Sequence, residues 1–339
     1  MNRPVLAVVV PCYNEEQVLE ETFSRLGRLL ADLIEQGAIA PESRAWFVDD
    51  GSRDRTWAMI DQASMQPLSL FRGVKLSRNR GHQIALLAGL MTAPGDAIIS
   101  VDADLQDDLG VIPKMVDAFV KGSDIVYGVR SARTTDTAFK RATAEGYYKL
   151  LARLGVEIVF NHADYRLMSR RAIEALRDVP ESNIFLRALI PQLGFPSSTV
   201  EYARSERFAG ESKYPLRKML ALAWQGVTSF SAMPLRAITT MGALVSVLSL
   251  AMAFWALWVR LFGTEAVPGW ASIVIPLFLL SGVQLLSLGV IGEYLAKVFV
   301  ETKRRPLYFI DKIAGAGAVQ AVVLLAAPLS PARPQDVQP

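Results

Sequence analysis

Ala97-Ile98-Ile99-Ser100-Val101-Asp102-Ala103-Asp104-Leu105-Gln106-Asp107 joins a short apolar run directly to a run of carboxylates. The apolar half, residues 97–101, is too short for an ordinary helix and reads as a buried strand. It is one beat of an alternation. Residues 5–10 form a β-branched run ended by Pro11. Residues 15–36 follow with Val18, Leu19, Phe23, Leu26, Leu29, Leu30, Leu33 and Ile34 at helical spacing. Strands are expected again at 45–48 and 73–76, helices at 56–63 and 82–91, and beyond the quoted stretch a helix at 112–120 and a strand at 124–128. Strand and helix in strict alternation predict an α/β fold with a mostly parallel sheet covered on both faces.

In open sheets of this kind ligands bind beyond the carboxyl ends of the strands. Polar residues gather at those ends: Tyr13, Asn14 and Glu15 after the first strand, Asp49, Asp50, Ser52 and Asp54 after the second, and Arg130 after the fifth. Taken singly, Ser52 and Asp54 read as helix-starting residues. The quoted stretch is the most chemical of the set. Successive side chains of a strand alternate faces, so Asp102 and Asp104 are expected to project together while Ala103 points away. Two neighbouring carboxylates repel unless a cation lies between them. With the Gln106 carboxamide as a third oxygen donor they suit Mg²⁺ or Mn²⁺, ions that commonly bind through one or two carboxylates plus substrate phosphates.

The chain's 51% hydrophobic composition is unevenly spread. From Ala237 to Gly292, 56 residues hold two charged side chains, Arg260 and Glu265. Within them, uncharged runs at 237–259 and 266–292 each exceed the roughly 20 residues that cross a bilayer. Gly263, Pro268 and Gly269 break the helix between them, and Trp270 suits an interface. A transmembrane hairpin is expected. Arg217, Lys218 and Arg236 precede it and Lys297, Lys303, Arg304 and Arg305 follow it, which puts both flanks in the cytoplasm. Before it, Leu216, Met219, Leu220, Ala223, Trp224, Val227 and Phe230 form an amphipathic stripe that reads as an interfacial helix.

Other classes are disfavoured. The run at 5–10 is short for an export signal. One cysteine, Cys12, forms no internal disulfide, and two histidines build no histidine metal site. A net charge of +3 does not argue for nucleic acid.

Val10-Pro11-Cys12-Tyr13-Asn14-Glu15, Val48-Asp49-Asp50-Gly51-Ser52, Ser77-Arg78-Asn79-Arg80-Gly81-His82, Asp102-Ala103-Asp104-Leu105-Gln106-Asp107, Asp164-Tyr165-Arg166-Leu167 and Gly210-Glu211-Ser212-Lys213 together resemble the inverting family 2 glycosyltransferases, in particular the polyprenyl-phosphate subgroup. In the apolar part, Pro234-Leu235-Arg236, Val267-Pro268-Gly269-Trp270, Ile291-Gly292-Glu293-Tyr294-Leu295 and Lys303-Arg304-Arg305-Pro306-Leu307 resemble its bacterial two-span, undecaprenyl-phosphate members. The resemblance covers about residues 4–310.

It implies a GT-A type nucleotide-sugar-binding domain at 1–215, an interfacial helix at 216–235, and transmembrane helices at 236–262 and 270–295 around a connector at 263–269. A cytoplasmic return at 296–312 and a flexible tail at 313–339 complete the expected layout. Pro11, Tyr13, Glu15, Val48 and Asp50 would then surround the base and ribose, with Ala103 beside the nucleotide. Asp102, Asp104 and Gln106 would hold Mg²⁺ or Mn²⁺ on the diphosphate, and Arg130, Arg207 and Lys213 would contact donor or acceptor phosphates. Asp104 and Asp164 are the catalytic candidates, Asp164 either as base or as a positioning group, against the plainer reading of an ion pair with Arg166. The implied reaction moves a sugar from a nucleotide sugar, a UDP-sugar before GDP-mannose, to a polyprenyl phosphate at the cytoplasmic face of a bacterial-type inner membrane, with both termini cytoplasmic. A homo-oligomer, as a tetramer, accords with the family. The alternatives are a processive polysaccharide synthase, disfavoured by the lack of a Gln-x-x-Arg-Trp sequence, and a non-catalytic nucleotide-sugar-binding scaffold.

Overall fold

The computed structural model describes residues 3–66, 68–130, 162–179, 184–202, 233–262, 270–303 and 305–315. Two compact units contain them. One is built from residues up to 130, 162–202 and 305–315, the other from 233–303.

In the first unit the expected alternation is present. β1 (Leu6–Cys12), α1 (Leu19–Glu35), β2 (Arg44–Asp49), α2 (Thr56–Met65), β3 (Phe71–Leu76), α3 (His82–Thr92), β4 (Ala97–Ser100), a 3₁₀ turn (Leu109–Val111), α4 (Ile112–Val120) and β5 (Ile125–Arg130) follow in order. Then come β6 (His162–Ser169), α5 (Arg170–Arg177), α6 (Leu186–Gln192) and β7 (Ser197–Tyr202). The eight-stranded sheet has the order β7-β5-β6-β4-β1-β2-β3-β8, where β8 is Ile310–Ala314. β1 pairs in parallel with β2 on one side and β4 on the other, which places the reversal of strand order beside β1. β2–β3 and β5–β7 are also parallel, while β6 runs antiparallel to both β4 and β5.

Apolar burial holds this sheet between helices. α1 buries Leu19, Leu26, Leu30 and Leu33, each contributing about 1.5–3 kcal/mol relative to exposure. Phe23 of α1 meets Phe47 and Phe71 of the sheet, which also meet each other, in edge-on and tilted contacts with 4.7–5.9 Å between ring centroids. On α3, Gly89 allows close approach to the sheet: a Cβ there would lie 2.3 Å from a Val9 methyl and 2.7 Å from one of Val48. Pro11 lies inside β1 rather than ending it, because strand pairing with Val48 continues through it.

Two parts of this unit differ from the sequence expectation. β6 carries Asp164 and Arg166 among buried residues, so its polar positions mask the strand pattern. β8 occupies positions expected to be a return segment and the start of a tail. It pairs antiparallel with β3, with Lys75 and Asp311 3.9 Å apart across the pair, and covers what would otherwise be an open sheet edge. The tail from 316 onward lies outside the described residues.

The second unit contains α7 (Met233–Phe262) and α8 (Trp270–Thr302), of 30 and 33 residues, which pack against each other. At 1.5 Å per residue they are about 45 and 50 Å long. α7 starts inside the expected interfacial segment. α8 runs past residue 295, because residues 296–302 contain no glycine or proline to stop it. Among the described residues no helix is long and apolar enough to cross a membrane; many side chains of these two helices lie outside that set. Residues 216–232 of the expected interfacial helix at 216–235, and the connector 263–269, also lie outside it.

Candidate active site at the carboxyl ends of the strands

The site is built where β1, β2 and β4 end. After β1 the chain turns through Asn14 in a left-handed conformation, φ 56°, leaving Tyr13 exposed. This loop is laced to the one after β2. Asn14 N–H donates to Ser52 Oγ at 3.0 Å, Arg53 N–H donates to Asn14 Oδ1 at 2.9 Å, and Glu15 N–H donates to Thr56 Oγ1 at 2.9 Å. Asp54 accepts from Glu16 N–H and from Thr56 N–H just before α2, whose N-cap position is Arg55, whereas Ser52 serves the loop contact.

Val48 is fully buried in β2, and Asp50 beyond it is buried as well. The two Asp50 oxygens accept from Arg80 N–H at 2.7 Å and Gly81 N–H at 2.8 Å. The Asp50 carboxylate thus fixes the turn leading into α3. Burial raises its pKa from the usual value, opposed by those two hydrogen bonds.

β4 stops at Ser100, so Asp102 and Asp104 leave the sheet before strand alternation orders them. A turn does so instead: Leu105 takes a left-handed φ of 56° and Gln106 N–H donates to Asp104 Oδ1 at 3.2 Å. Ala103 and Gln106 are buried, and the Ala103 carbonyl accepts from Thr22 Oγ1 at 3.2 Å. Asp107 is buried next, accepting from Tyr202 Oη at 2.5 Å. Burial, then the Asp107, Asp164 and Asp104 carboxylates, push the Asp102 pKa up to about 6 against the opposing effect of His82. Among the described residues, no three histidine, cysteine, aspartate or glutamate side chains are already gathered as a metal cage.

Asp164 arrives from β6. The antiparallel register pairs Ser100, the last residue of β4, with Arg166, so Asp164 lies two residues beyond that pair on β6, on the side where β4 ends. Its carboxylate is 4% exposed and densely bonded. Arg166 Nη2 donates to Oδ1 at 2.6 Å, Arg187 Nε to Oδ1 at 3.2 Å, Arg187 Nη2 to Oδ2 at 3.0 Å, and Gln83 Nε2 to Oδ2 at 3.0 Å. His82 Nε2 lies 3.6 Å from Asp164 Oδ2 and 3.5 Å from Asp102 Oδ1. Burial alone would raise the Asp164 pKa, but His82 and the two guanidinium groups outweigh it and hold the group well below the usual carboxylate range. The ion pair with Arg166 expected as the plainer reading is therefore present, inside a larger cluster.

Of the expected site residues, Pro11, Tyr13, Glu15, Val48, Asp50, Asp102, Ala103, Asp104 and Gln106 lie at the carboxyl end of the sheet. Arg130 ends β5, with its side chain outside the described set. Arg207 and Lys213 lie outside the described residues. Sequence reading misses Gln83 and Arg187. Gln83 falls near the start of the helix expected at 82–91, and Arg187 is separated from Asp164 by 23 positions with no motif to join them. His82 falls within a recognised motif, yet nothing in the sequence sets it between two carboxylates.

A family model described as "Glycosyl transferase family 2" matches residues 7–177. An uncharacterized glycosyltransferase, YkoT of Bacillus subtilis, is 50% identical over 91% of this chain and 92% of its own. The prophage bactoprenol glucosyl transferase homolog of Escherichia coli is 37% identical over 91% of this chain and 99% of its own. A solved structure of glucosyl-3-phosphoglycerate synthase from Mycobacterium tuberculosis matches 66% of this chain and 76% of its own at 18% identity, with a TM-score of 0.45.

Proposed function

The chain belongs to glycosyl transferase family 2 and is a glycosyltransferase; we propose that it moves a sugar from a UDP-sugar to a polyprenyl phosphate at a membrane surface. The observation that carries this reading is the similarity to the bactoprenol glucosyl transferase homolog. It spans 91% of this chain, too much to be confined to the α/β unit.

In the proposed reaction a phosphate oxygen of the lipid attacks the anomeric carbon. The bond from that carbon to the diphosphate oxygen breaks on the opposite face, and the configuration inverts. A phosphate anion needs no base to become a nucleophile. That suits an Asp164 whose acceptor positions are filled by arginine and glutamine donors, and it favours positioning over base catalysis for this residue. Tyr13 and the β1 and β2 loops would hold the nucleotide, with Asp50 acting through the Arg80–Gly81 turn that it fixes. Arg130, Arg207 and Lys213 remain the proposed contacts to phosphate from the sequence pattern.

A divalent cation, Mg²⁺ or Mn²⁺, fits the residues present, since burial and then the Asp107 and Asp104 carboxylates disfavour the charged form of Asp102, and a cation there would offset this. Asp102, Asp104 and Gln106 would hold it, and when bound it would offset charge on the departing diphosphate.

We also propose that α7 and α8 cross the bilayer, keeping the enzyme beside its lipid acceptor. Their lengths of about 45 and 50 Å exceed a hydrocarbon core of about 30 Å, and the uncharged runs at 237–259 and 266–292 lie largely within them. The basic flanks favour an inner membrane with the catalytic unit and both termini cytoplasmic.

The test is transfer from radiolabelled UDP-glucose, with other UDP-sugars and GDP-mannose in parallel, to undecaprenyl phosphate by membranes containing the protein. A chloroform-soluble, acid-labile product is expected, abolished by chelator and by Asp102→Asn or Asp104→Asn. Absence of lipid-linked sugar from every donor overturns the reading of the reaction. Full activity in chelator overturns the metal.

A further inference from the structure

The cluster around Asp164 has a composition that positioning one carboxylate does not require. Arg166 alone neutralises Asp164, is 1% exposed, and is matched to it at 2.6 Å. Arg187 adds a second guanidinium to the same carboxylate, donating through Nε and Nη2. Gln83 ties the cluster down: its amide nitrogen donates to Asp164, and its carbonyl oxygen accepts from Leu186 N–H at 3.2 Å, next to Arg187. The cluster therefore has an inner half, buried Arg166 and half-buried Gln83 on Asp164, and an open half.

The open half consists of Arg187 and His82, whose side chains are 40% and 44% exposed. His82 Nε2 lies within 3.6 Å of both Asp102 and Asp164, so this half borders the carboxylate turn where a diphosphate would be held. His82 also opens α3, an 11-residue helix whose first-turn N–H groups favour an anion nearby. An arginine locked by two hydrogen bonds to a buried carboxylate presents its charge without paying again for ordering a long side chain.

We propose that Arg187 and His82 form a phosphate-contacting pair, preset by Asp164 and Gln83, that binds an oxyanion of one of the two phosphate-bearing substrates. The pair rests on the proposed transfer reaction for the identity of its ligand. The donor diphosphate and the acceptor phosphate monoester share the chemistry required, and binding assays separate them.

The experiment uses the purified full-length protein in detergent, with variants Arg187→Gln, Arg187→Lys, His82→Asn and the Arg187→Gln/His82→Asn double. Three quantities are read: the affinity for UDP in the presence of Mn²⁺ by calorimetry, the KM for a short-chain polyprenyl phosphate, and the thermal unfolding midpoint. Loss of a charge-assisted hydrogen bond should weaken one of the two ligands by about tenfold to hundredfold in Arg187→Gln. His82→Asn should show a smaller loss for the same ligand, and Arg187→Lys should recover part of the arginine effect. An effect on UDP assigns the pair to the donor, and an effect on acceptor KM assigns it to the acceptor. Unchanged strength for both ligands in the folded double variant overturns the proposal, as does weakening found only in variants whose unfolding midpoint has dropped. Because His82 is half exposed, His82→Asn keeps the test decisive if the arginine variants fold poorly. If the wild type makes no lipid-linked sugar but the variants lose UDP affinity, the pair stands and the transfer reading falls. If the wild type transfers sugar and the variants bind and transfer equally well, the pair falls alone.

Discussion

Leu6, Leu26 and Phe47 are fully buried in the α/β unit, whereas Leu244, Trp255 and Phe262 of the helical unit are largely exposed. The residue types are alike and their surroundings opposite. In the first unit a sheet sandwiched between helices supplies an interior, so polar groups collect at the strand ends and apolar ones withdraw from water. Two paired helices cannot enclose that much apolar surface, and the bilayer proposed around them would resolve the mismatch. A single hydropathy average over the chain describes neither unit.

The largest expected effect concerns a buried ion pair of the α/β unit, Asp164 with Arg166. Asp164→Asn leaves the Arg166 guanidinium buried without its counter-ion, and loss of one member of such a pair costs about 3–5 kcal/mol. Denaturant unfolding of the detergent-solubilised full chain should show this. The folded Asp164 pKa lies below its unfolded value, so its stabilisation is complete above about pH 4 and is lost as pH falls through the lower folded value. The gap between wild type and Asp164→Asn should therefore stay constant from neutral pH down to about 5 and narrow below about 4. A gap that persists undiminished in acid would remove the ion pair as its cause.

An intermediate effect tests the apolar core. Leu26→Ala on α1 removes a side chain packed in the interior, and such truncations cost about 2–5 kcal/mol by the same unfolding measurement. A cost below about 1 kcal/mol would mean that α1 is loosely packed on the sheet, against the buried stripe of leucines.

These two sites also mark what could be read from sequence. Leu26 belongs to a periodic run, and every strand and helix through β5 is foreshadowed by such runs, because burial on one face leaves a regular imprint. Asp164 was legible as a motif residue, but its partners were not. Arg187 and Gln83 meet it through β6, α3 and α6, contacts made by topology and carrying no local period. β6 itself was hidden because Asp164 and Arg166 satisfy each other inside it, so a buried strand reads as polar. Likewise β8 gains its place from an open edge on β3, a feature of the folded sheet rather than of residues 310–314 alone. The ends of β4 illustrate the reverse error: strand alternation was extended to Asp102 and Asp104, where a turn through Leu105 takes over.

The smallest effect is the sharpest test of the contrast between the units, because it uses one substitution twice. Leu248 lies near the middle of the uncharged run in α7 and is 59% exposed, while Leu68, in the loop after α2, is 97% exposed. If both faced water, Leu→Lys would be nearly neutral at each. In a bilayer, a lysine at the centre of a helix costs about 2.5–3.5 kcal/mol of insertion free energy, so Leu248→Lys should shift the protein toward the alkali-extractable fraction of membranes. At Leu68 the same change should alter unfolding by less than about 0.5 kcal/mol and leave membrane retention untouched, since an exposed loop side chain gives up no packing. Equal, negligible effects at both positions would mean that exposure in the helical unit is exposure to water, and the bilayer would then have to be withdrawn as its solvent.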